Sequence, residues 1–328
     1  MTRIAINGFG RIGRSVLRVI QKYPDLQVVA INDLSNIESM AYLLKYDSVH
    51  GRIDGDINID NNYIVFNGSP IFITSEKNID LLPWKLLEVD VVIESTGFYL
   101  TRSEVERHLH SGAKKVLVTA PLNNADATIC YGINNDSFRK KMRILSMASC
   151  TTNCLASIVK VLQDKFTIEN AFATTIHSYT NDQRLLDCFH EDQRRSRAAG
   201  LSIIPTTTGA VKAISLIFPE LTDKFDGFSI RVPTPNVSCV DLTAVLSQKT
   251  TTSELNKFFQ NASNTYLKNI LGYTEDPIVS VDIRGMKESA ILDASFTKVL
   301  NGNLIKILSW YDNEWGFSNR VVDFLHLF

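Results

Sequence analysis

One stretch near the N-terminus decides the fold: Arg3-Ile4-Ala5-Ile6-Asn7-Gly8-Phe9-Gly10-Arg11-Ile12-Gly13. Its first part, Arg3 to Asn7, is an apolar run typical of a strand, and an amphipathic helix is predicted from Arg11 to Lys22. Between them, Gly8, Gly10 and Gly13 complete a G-x-G-x-x-G pattern. The glycines allow a tight turn, and the helix N-terminus offers unpaired N–H groups to a phosphate. The stretch therefore predicts a dinucleotide-binding turn.

An acid follows this turn at the spacing that a dinucleotide site requires. Asp33 lies 20 residues after Gly13, at the end of a second predicted strand, where a carboxylate binds the two hydroxyls of an adenosine ribose. Its charge would repel a 2′-phosphate, and no basic residue stands within the next ten positions. We therefore predict NAD rather than NADP as cofactor. The alternative is a glycine-rich turn with a solvent-facing Asp.

Strands alternate with helices through the first half of the chain, which predicts a parallel, doubly wound sheet of the Rossmann type. Besides the opening strand and helix, the predicted elements are Gln27–Asn32, Val89–Glu94 and Lys115–Thr119 as strands and Ile37–Leu44 and Ser103–Ser111 as helices. The run from Ile53 to Ile73 alternates between apolar and polar residues and contains Gly and Asn turns. We read that run as an antiparallel excursion.

The pattern changes at about residue 150, where a second, α+β domain with a largely antiparallel sheet is predicted. A helix is expected from Cys150 to Lys165, with an apolar stripe. The strands predicted to follow are Ala171–Tyr179, Gly227–Arg231, Val237–Leu246, Ile278–Asp282 and Leu304–Trp310. The 30 residues after Thr180 are polar and turn-rich, which is typical of a functional or interface segment. Trp315 to Leu327 is predicted as a closing helix.

Cys150 and His177 are the candidate nucleophile and base. Cys150 begins the predicted helix, where the helix dipole favours the reactive thiolate, whereas Cys154 lies one turn further in and is expected to be buried. His177 ends the predicted strand that follows, so the two side chains could meet. A histidine at a strand end is, however, often structural.

Candidate anion ligands lie in loops or at element ends after these two residues. They are Thr180, Asp182, Arg197, the run Thr206-Thr207-Thr208-Gly209 and Arg231. Hydroxyl and backbone N–H groups can donate to a phosphate, and arginine can pair with it in bidentate fashion. Two groups of such ligands would suit a phosphorylated substrate together with inorganic phosphate. Each residue taken alone could equally be a capping or surface residue.

Composition limits the other classes of function. The formal net charge is −1, which gives no electrostatic reason to expect nucleic acid or an anionic membrane as main ligand. No apolar stretch is long enough for a membrane span, and no signal peptide is evident. The five cysteines are scattered and odd in number, so a reducing cytoplasm is expected. No metal site is predicted.

Seven segments together resemble the glyceraldehyde-3-phosphate dehydrogenase family. They are Ile6–Arg14, Leu44–Gly51, Ala148–Cys154, His177–Gln183, Pro205–Gly209, Arg231–Val237 and Trp310–Asn319. The resemblance implies phosphorylating oxidation of glyceraldehyde 3-phosphate to 1,3-bisphosphoglycerate, a reversible step of glycolysis and gluconeogenesis. Cys150 would form a hemithioacetal and then a thioester, with His177 as base, and inorganic phosphate would release the product.

The same resemblance implies the remaining site residues. Thr180, Asp182 and Arg231 would surround the C3 phosphate of the substrate. The attacking phosphate would be bound by Ser149, Thr151, Arg197, Thr208 and Gly209. Further cofactor ligands would be Arg11, Ile12, Asp33, Lys77, Thr119 and Asn313, with Asn313 on the nicotinamide carboxamide.

Domain limits and assembly also follow from the resemblance. We expect an NAD-binding domain over residues 1–149, onto which helix 315–328 packs, and a catalytic domain over residues 150–314. The family is homotetrameric, and the segment near 180–204 resembles the loop that reaches a neighbouring subunit's cofactor site.

Two departures from the family pattern leave alternatives open. Cys188-Phe189 replaces the usual Leu-Pro, which bears on the choice between NAD and NADP, and Phe317 stands where Tyr is common. Phe317 is compatible with erythrose-4-phosphate dehydrogenase, although Thr180-Asn181-Asp182 and the 206–209 run favour the phosphorylating enzyme. A binding protein for dinucleotide or RNA on the same fold is the alternative from another class.

Overall fold

The computed structural model describes all 328 residues, and the chain divides into two compact units. The first unit comprises Met1–Ala148 together with Ser318–Phe328, and the second comprises Ser149–Phe317. None of the helices is both long and apolar enough to cross a membrane.

A nine-stranded sheet forms the first unit, in the order β3-β4-β5-β2-β1-β6-β7-β9-β8. Its strands are β1 (Thr2–Asn7), β2 (Leu26–Asn32), β3 (Ile57–Asp60), β4 (Tyr63–Phe66), β5 (Ser69–Thr74), β6 (Val91–Glu94), β7 (Lys115–Val118), β8 (Ala127–Thr128) and β9 (Ile144–Ser146). The strands from β5 to β8 in this order pair in parallel. The hairpins β3-β4 and β4-β5 are antiparallel, as predicted for the Ile53–Ile73 run.

The helices of this unit lie between its strands in the chain. They are α1 (Arg11–Ile20), α2 (Ile37–Lys45), α3 (Arg102–Val105) and α4 (Arg107–His110), followed by α8 (Trp315–Leu325) at the end of the chain. The single helix predicted over Ser103–Ser111 is thus two short helices. The ring of Phe324 in α8 contacts Phe138 edge-on at 5.3 Å between ring centroids, so the end of the chain packs within this unit. Short 3₁₀ helices occur at Ile79–Leu81 and Asn135–Ser137.

A seven-stranded sheet forms the second unit, in the order β11-β12-β10-β13-β16-β15-β14. Its strands are β10 (Ile168–Ser178), β11 (Ile204–Thr206), β12 (Phe225–Val232), β13 (Ser238–Leu246), β14 (Leu271–Thr274), β15 (Ala290–Leu300) and β16 (Leu304–Tyr311). Four neighbouring pairs are antiparallel, and the pairs β10·β12 and β14·β15 are parallel. The predicted fold class, a Rossmann-type sheet plus a largely antiparallel one, is confirmed.

Three helices cover one side of this second sheet. They are α5 (Cys150–Lys165), α6 (Ala210–Ile217) and α7 (Thr252–Asn264). Helix α5 has the bounds predicted from its apolar stripe, and it packs against the sheet and against both other helices. Its buried side chains include Leu155, Ile158 and Leu162, and this burial holds Cys150 at a fixed place above the sheet.

One predicted strand is wrong, and five strands were not predicted. The run Ile278–Asp282 contains no strand, because a 3₁₀ helix spans Ser280–Ile283. The carboxylate of Asp282 accepts the backbone N–H of Val279 at 2.8 Å, which closes the turn. Val279 and Val281 are exposed while Ile283 is buried, so the apolar run does not lie on a sheet face. The strands that were not predicted are β8, β9, β11, β14 and β15. The remaining 3₁₀ helix is Pro219–Leu221.

Candidate active site

A cleft of about 240 Å³ opens in the first unit beside the turn between β1 and α1. It is lined by Asn7, Gly8, Gly10, Asn32, Asp33, Leu34, Glu76, Lys77, Ile79, Ser95, Thr96, Phe98 and Tyr99. Gly8 has φ +90°, and a Cβ there would lie 2.6 Å from the backbone N of Thr96. A Cβ on Gly13 would lie 2.3 Å from the carbonyl oxygen of Gly8. Only glycine fits either position, so the turn keeps its backbone open to a ligand.

The carboxylate of Asp33 is fixed at the edge of this cleft. Its Oδ2 accepts the N–H of Phe9 at 2.7 Å, and its Oδ1 accepts the N–H and the hydroxyl of Ser35 at 2.9 and 2.7 Å. Burial alone would raise the pKa of Asp33, but these hydrogen bonds and the charge of Arg14 outweigh it and lower the pKa. Asp33 is therefore an ionised acceptor, as hydroxyl recognition requires.

Of the other predicted cofactor residues in this unit, Lys77 faces the cleft, whereas the side chains of Arg11 and Thr119 bond to other protein groups. The side chain of Arg11 pairs with Asp47 at 2.5 Å. The hydroxyl of Thr119 donates to the carbonyl of Glu94 at 3.1 Å. Arg11 and Ile12 occupy the first turn of α1, so their backbone rather than their side chains can serve an anion.

The structure brings Cys150 and His177 together in the second unit. Ser149 caps α5 by accepting the N–H of Thr152 at 3.1 Å, and Cys150 is the first residue of the helix. The Sγ of Cys150 lies 3.6 Å from Nε2 of His177, which stands near the end of β10. Nδ1 of His177 lies 2.7 Å from the carbonyl oxygen of Ser178, so Nδ1 carries the proton and donates it. The lone pair of Nε2 then faces the thiol, as a base requires.

Burial governs the charge states of this pair. Burial raises the pKa of the Cys150 thiol, and the positive charge of Arg231 acts in the opposite direction. Desolvation of the thiolate therefore raises the pKa of Cys150 by more than the helix N-terminus can lower it. Burial, followed by the charge of Arg231, lowers the pKa of His177 to about 3. The imidazole is therefore neutral and able to accept a proton.

Arg231 is a half-buried residue whose guanidinium lies beside the pair. It is in register with His177, since β12 pairs in parallel with β10. Its Nη1 lies 3.1 Å from Nδ1 of His177, 3.3 Å from the oxygen of Ser178 and 3.4 Å from Oγ1 of Thr180. Its Nε is buried without any hydrogen-bond partner. A buried cationic donor left unpaired suits an anion ligand.

Arg197, predicted for the attacking phosphate, and its neighbour Arg195 have different surroundings. The side chain of Arg197 is 66% exposed and pairs with Asp187 at 2.9 Å. Arg195 instead donates to the hydroxyl of Thr206 at 2.9 Å and to the carbonyl of Thr207 at 3.3 Å. Burial, followed by the positive charge of Arg195, lowers the pKa of Arg231. Three arginines in four positions, 194, 195 and 197, were the only signal for Arg195 in the sequence.

Asp182, predicted to lie near the substrate phosphate, is a partner of Arg195. Its carboxylate pairs with Arg195 at 2.6 Å and with His190 at 3.3 Å. A carboxylate repels a phosphate, so its place beside Arg195 is the physically reasonable one. Thr208 and Gly209 precede α6, where Oγ1 of Thr208 accepts the N–H of Ala210 at 3.2 Å.

Two further residues order the site. The hydroxyl groups of Thr151 and Tyr311 lie 2.8 Å apart, and the Tyr311 ring packs edge-on against His177 at 6.0 Å. Tyr311 was not predicted, although it lies in the Trp310–Asn319 segment. The Oδ1 of Asn313 accepts the hydroxyls of Ser178 at 3.0 Å and Ser238 at 3.3 Å, which leaves its amide nitrogen as donor.

The remaining cysteines differ from Cys150 in their surroundings. Cys154 is buried with its sulfur 3.8 Å from the hydroxyl of Ser309, and burial raises the pKa of its thiol. Cys130 and Cys239 are also buried, whereas Cys188 is exposed, and all five cysteines are free thiols. Phe189 is exposed and Phe317 is buried.

Comparison with known proteins identifies the family of both units. Residues 2–102 match the glyceraldehyde 3-phosphate dehydrogenase NAD binding domain, and residues 149–313 match the C-terminal domain of the same family. Glyceraldehyde-3-phosphate dehydrogenase 1 of Bacillus subtilis (strain 168) is 51% identical over 322 residues, which are 98% of this chain and 96% of that protein. The enzyme of Thermotoga maritima is 52% identical over 329 residues, covering 100% and 99% of the two chains. The chain belongs to the glyceraldehyde-3-phosphate dehydrogenase family, whose members are NAD-dependent oxidoreductases acting on an aldehyde group.

Proposed function

We propose that Cys150 and His177 carry out the phosphorylating oxidation of glyceraldehyde 3-phosphate to 1,3-bisphosphoglycerate, reversibly and with NAD. The observation that carries this proposal is the 3.6 Å separation between Sγ of Cys150 and the unprotonated Nε2 of His177. A nucleophile within reach of a base, beside a guanidinium whose Nε has no partner, is the arrangement that acyl transfer to an anionic substrate needs.

The thiol of Cys150 gives its proton to Nε2 of His177 and attacks the aldehyde carbon, and His177 returns that proton to the former carbonyl oxygen, forming a hemithioacetal. His177 Nε2 accepts the proton of the hemithioacetal hydroxyl as the carbon loses a hydride, and a thioester of Cys150 results. NAD supplies the hydride acceptor when it is bound. Inorganic phosphate then attacks the thioester carbonyl, which releases the acyl phosphate and restores the thiolate. The thioester retains energy that hydrolysis would dissipate.

Two arginines divide the anion binding in this proposal. Arg231, with its unpaired Nε and Thr180 at 3.4 Å, binds one phosphate group. Arg195 replaces Arg197 as the second cation, with Asp182 holding its guanidinium in place. Ser149, Thr151, Thr208 and Gly209 supply hydroxyl and backbone donors at the starts of α5 and α6.

The cleft of the first unit fits NAD. A Cβ at Gly8 or Gly13 would collide with neighbouring backbone atoms, so this turn requires glycine, and Asp33 presents an ionised carboxylate for ribose hydroxyls. The proposed ligands in this unit are Gly8, Gly10, Arg11, Ile12, Gly13, Asp33, Lys77 and Thr119. In the second unit, Asn313 keeps its amide nitrogen as a donor suited to a carboxamide. Residues 1–149 with helix 315–328 would thus serve as the cofactor domain and residues 150–314 as the catalytic domain.

We further propose a homotetramer in the cytoplasm. The segment 181–203 has neither helix nor strand and exposes several large apolar side chains, which a neighbouring subunit would cover. The five free thiols suit a reducing compartment.

The deciding experiment follows the absorbance of reduced nicotinamide with glyceraldehyde 3-phosphate and NAD, with and without inorganic phosphate. Phosphate-dependent reduction of NAD is expected, and Cys150→Ser should abolish it while the matched variant Cys154→Ser retains it. Turnover of erythrose 4-phosphate without need for phosphate would favour the related dehydrogenase instead. A folded, reduced protein with no turnover of either substrate would contradict the proposal.

A further inference from the structure

A hydrogen-bonded network of buried side chains, Trp84, His108 and Asn7, converges on the carboxylate of Glu94 beside the cofactor cleft. Glu94 is the last residue of β6 and is 2% exposed, and His108 in α4 is fully buried at 0%. Oε1 of Glu94 accepts the N–H of Thr96 at 2.8 Å and its hydroxyl at 2.5 Å. Oε2 accepts the amide of Asn7 at 2.6 Å and faces Nε2 of His108 at 3.0 Å. Burying a carboxylate costs free energy, and these hydrogen bonds offset part of that cost.

The hydrogen-bonding capacities of these groups fix their protonation. The indole N–H of Trp84 can only donate, and its Nε1 lies 2.9 Å from Nδ1 of His108. Nδ1 therefore accepts, and the neutral ring donates its Nε2–H to Glu94. In each of the four hydrogen bonds to Glu94 the acid is then the acceptor. Glu94 is thus a buried carboxylate held by four neutral donors.

This carboxylate joins the two backbone segments that form the cofactor turn. Asn7 immediately precedes Gly8, and the backbone N of Thr96 is the atom that a Cβ on Gly8 would approach at 2.6 Å. Oε2 of Glu94 therefore bonds to Asn7, next to Gly8, and Oε1 bonds to Thr96 on the other side of this close contact. The link continues toward Asp33, because the amide of Asn32 donates to Oδ1 of Asn7 at 2.8 Å.

We propose that Glu94 is the positioning residue of the dinucleotide turn, and that His108 and Trp84 orient it. The carboxylate sets the distance between the Gly8 turn and the segment at Thr96, and so sets the width of the site for the cofactor's pyrophosphate. This inference rests on the proposed role of the turn in holding the cofactor.

The first test measures the binding of NAD and of ADP-ribose to the full-length protein by calorimetry. ADP-ribose keeps the adenosine and the pyrophosphate but lacks the nicotinamide. In Glu94→Gln the new NH₂ group faces the donors of Asn7 and His108, so the Kd for both ligands should rise by about tenfold. The kcat at saturating NAD should stay within about twofold of the wild type. An unchanged Kd, or a fall in kcat alone, would overturn the proposal.

A pair of variants at His108 separates orientation from packing. In His108→Gln the side-chain oxygen can accept from Trp84 and the nitrogen can donate to Glu94, whereas His108→Leu fills the space without either bond. The Kd for ADP-ribose should stay within about threefold of the wild type in the Gln variant and rise by about tenfold in the Leu variant. If burial alone mattered, the apolar Leu would bind as well as Gln or better, and the role of Glu94 would be refuted.

Binding of ADP-ribose by the wild type separates the role of the turn from the role of Glu94. If the wild-type protein does not bind ADP-ribose, the assignment of the turn to the cofactor is wrong and the inference falls with it. If the wild type binds and the Glu94 and His108 variants bind equally well, the turn keeps its role and only the positioning role of Glu94 is lost.

Discussion

At the scale of the residue, His177 shows how one neighbour sets the state of a base. Burial and the charge of Arg231 both disfavour the imidazolium, and together they lower the pKa of His177 to about 3. Removing the cation in Arg231→Gln favours the protonated ring, so the pKa of His177 should rise and the acid limb of the rate profile should move to higher pH. An NMR titration, with the His177 signal assigned from His177→Asn, measures the shift. Arg197→Gln is the control and should leave the pKa unchanged, and an unaltered pKa in Arg231→Gln would refute the electrostatic account.

Arg195 and Arg197 form a matched pair for testing the second anion site. Arg195 contacts Thr206 and Asp182, whereas the exposed Arg197 contacts only Asp187. Since a hydrogen bond to a charged group is worth about 1.5–3 kcal/mol, Arg195→Gln should raise the KM for inorganic phosphate by about tenfold or more. Arg197→Gln should change it by less than about twofold, because exposed ion pairs contribute little. The opposite order in a steady-state assay would restore Arg197 as the ligand.

At the scale of the element, one carboxylate holds the loop between β16 and α8. Asp312 is buried, and its Oδ1 accepts the N–H groups of Glu314 and Trp315 and the amide of Asn236, while Oδ2 accepts the N–H of Gly285 at 2.8 Å. Asp312→Ala leaves these donors unsatisfied and should lower the thermal midpoint by about 5 °C. It should also raise the KM for NAD, because the neighbouring Asn313 loses its support.

The control for Asp312 is Asp282, which closes the 3₁₀ turn at the surface with a single bond to Val279. Asp282→Ala should lower the midpoint by no more than about 2 °C and leave the KM for NAD unaltered. Equal effects of the two substitutions in scanning calorimetry would show that the buried cluster around Asp312 has no special weight.

At the scale of the whole molecule, the exposed apolar side chains of the 181–203 segment need a partner. They are Leu185, Leu186, Phe189, Leu201 and Ile203. Sedimentation should give a mass four times that of the 36.8 kDa chain. Leu201→Asp should dissociate the assembly, since a charge cannot be buried unpaired at an interface. Leu86→Asp is the matched control, because Leu86 and Leu201 are each 83% exposed in the single chain but Leu86 lies outside the segment. A monomeric wild type would refute the tetramer.

Features that depend on residues close together in the sequence could be predicted from the sequence alone. The turn between β1 and α1 follows from glycine spacing, and α5 follows from its apolar stripe, so both could be predicted with little error in their bounds. Cys150 and His177 could be singled out because one begins a helix and the other stands near the end of a strand. The fold class followed from the alternation of elements.

Only the tertiary structure decided which side chains of an irregular segment face the site. Arg195 and Arg197 stand in the same arginine-rich run and look alike in the sequence. The contacts of Arg195 with Thr206 and Asp182, which lie 11 and 13 residues away, distinguish the two side chains. The apolar run Ile278–Asp282 resembled a strand, yet no neighbouring strand pairs with it, and a turn satisfies its backbone instead. The chain from Trp84 to Glu94 is likewise assembled from β6, α4 and a loop. Local patterns report the periodicity of the backbone, whereas these contacts depend on residues brought together from afar, and no spacing in the sequence encodes their directions.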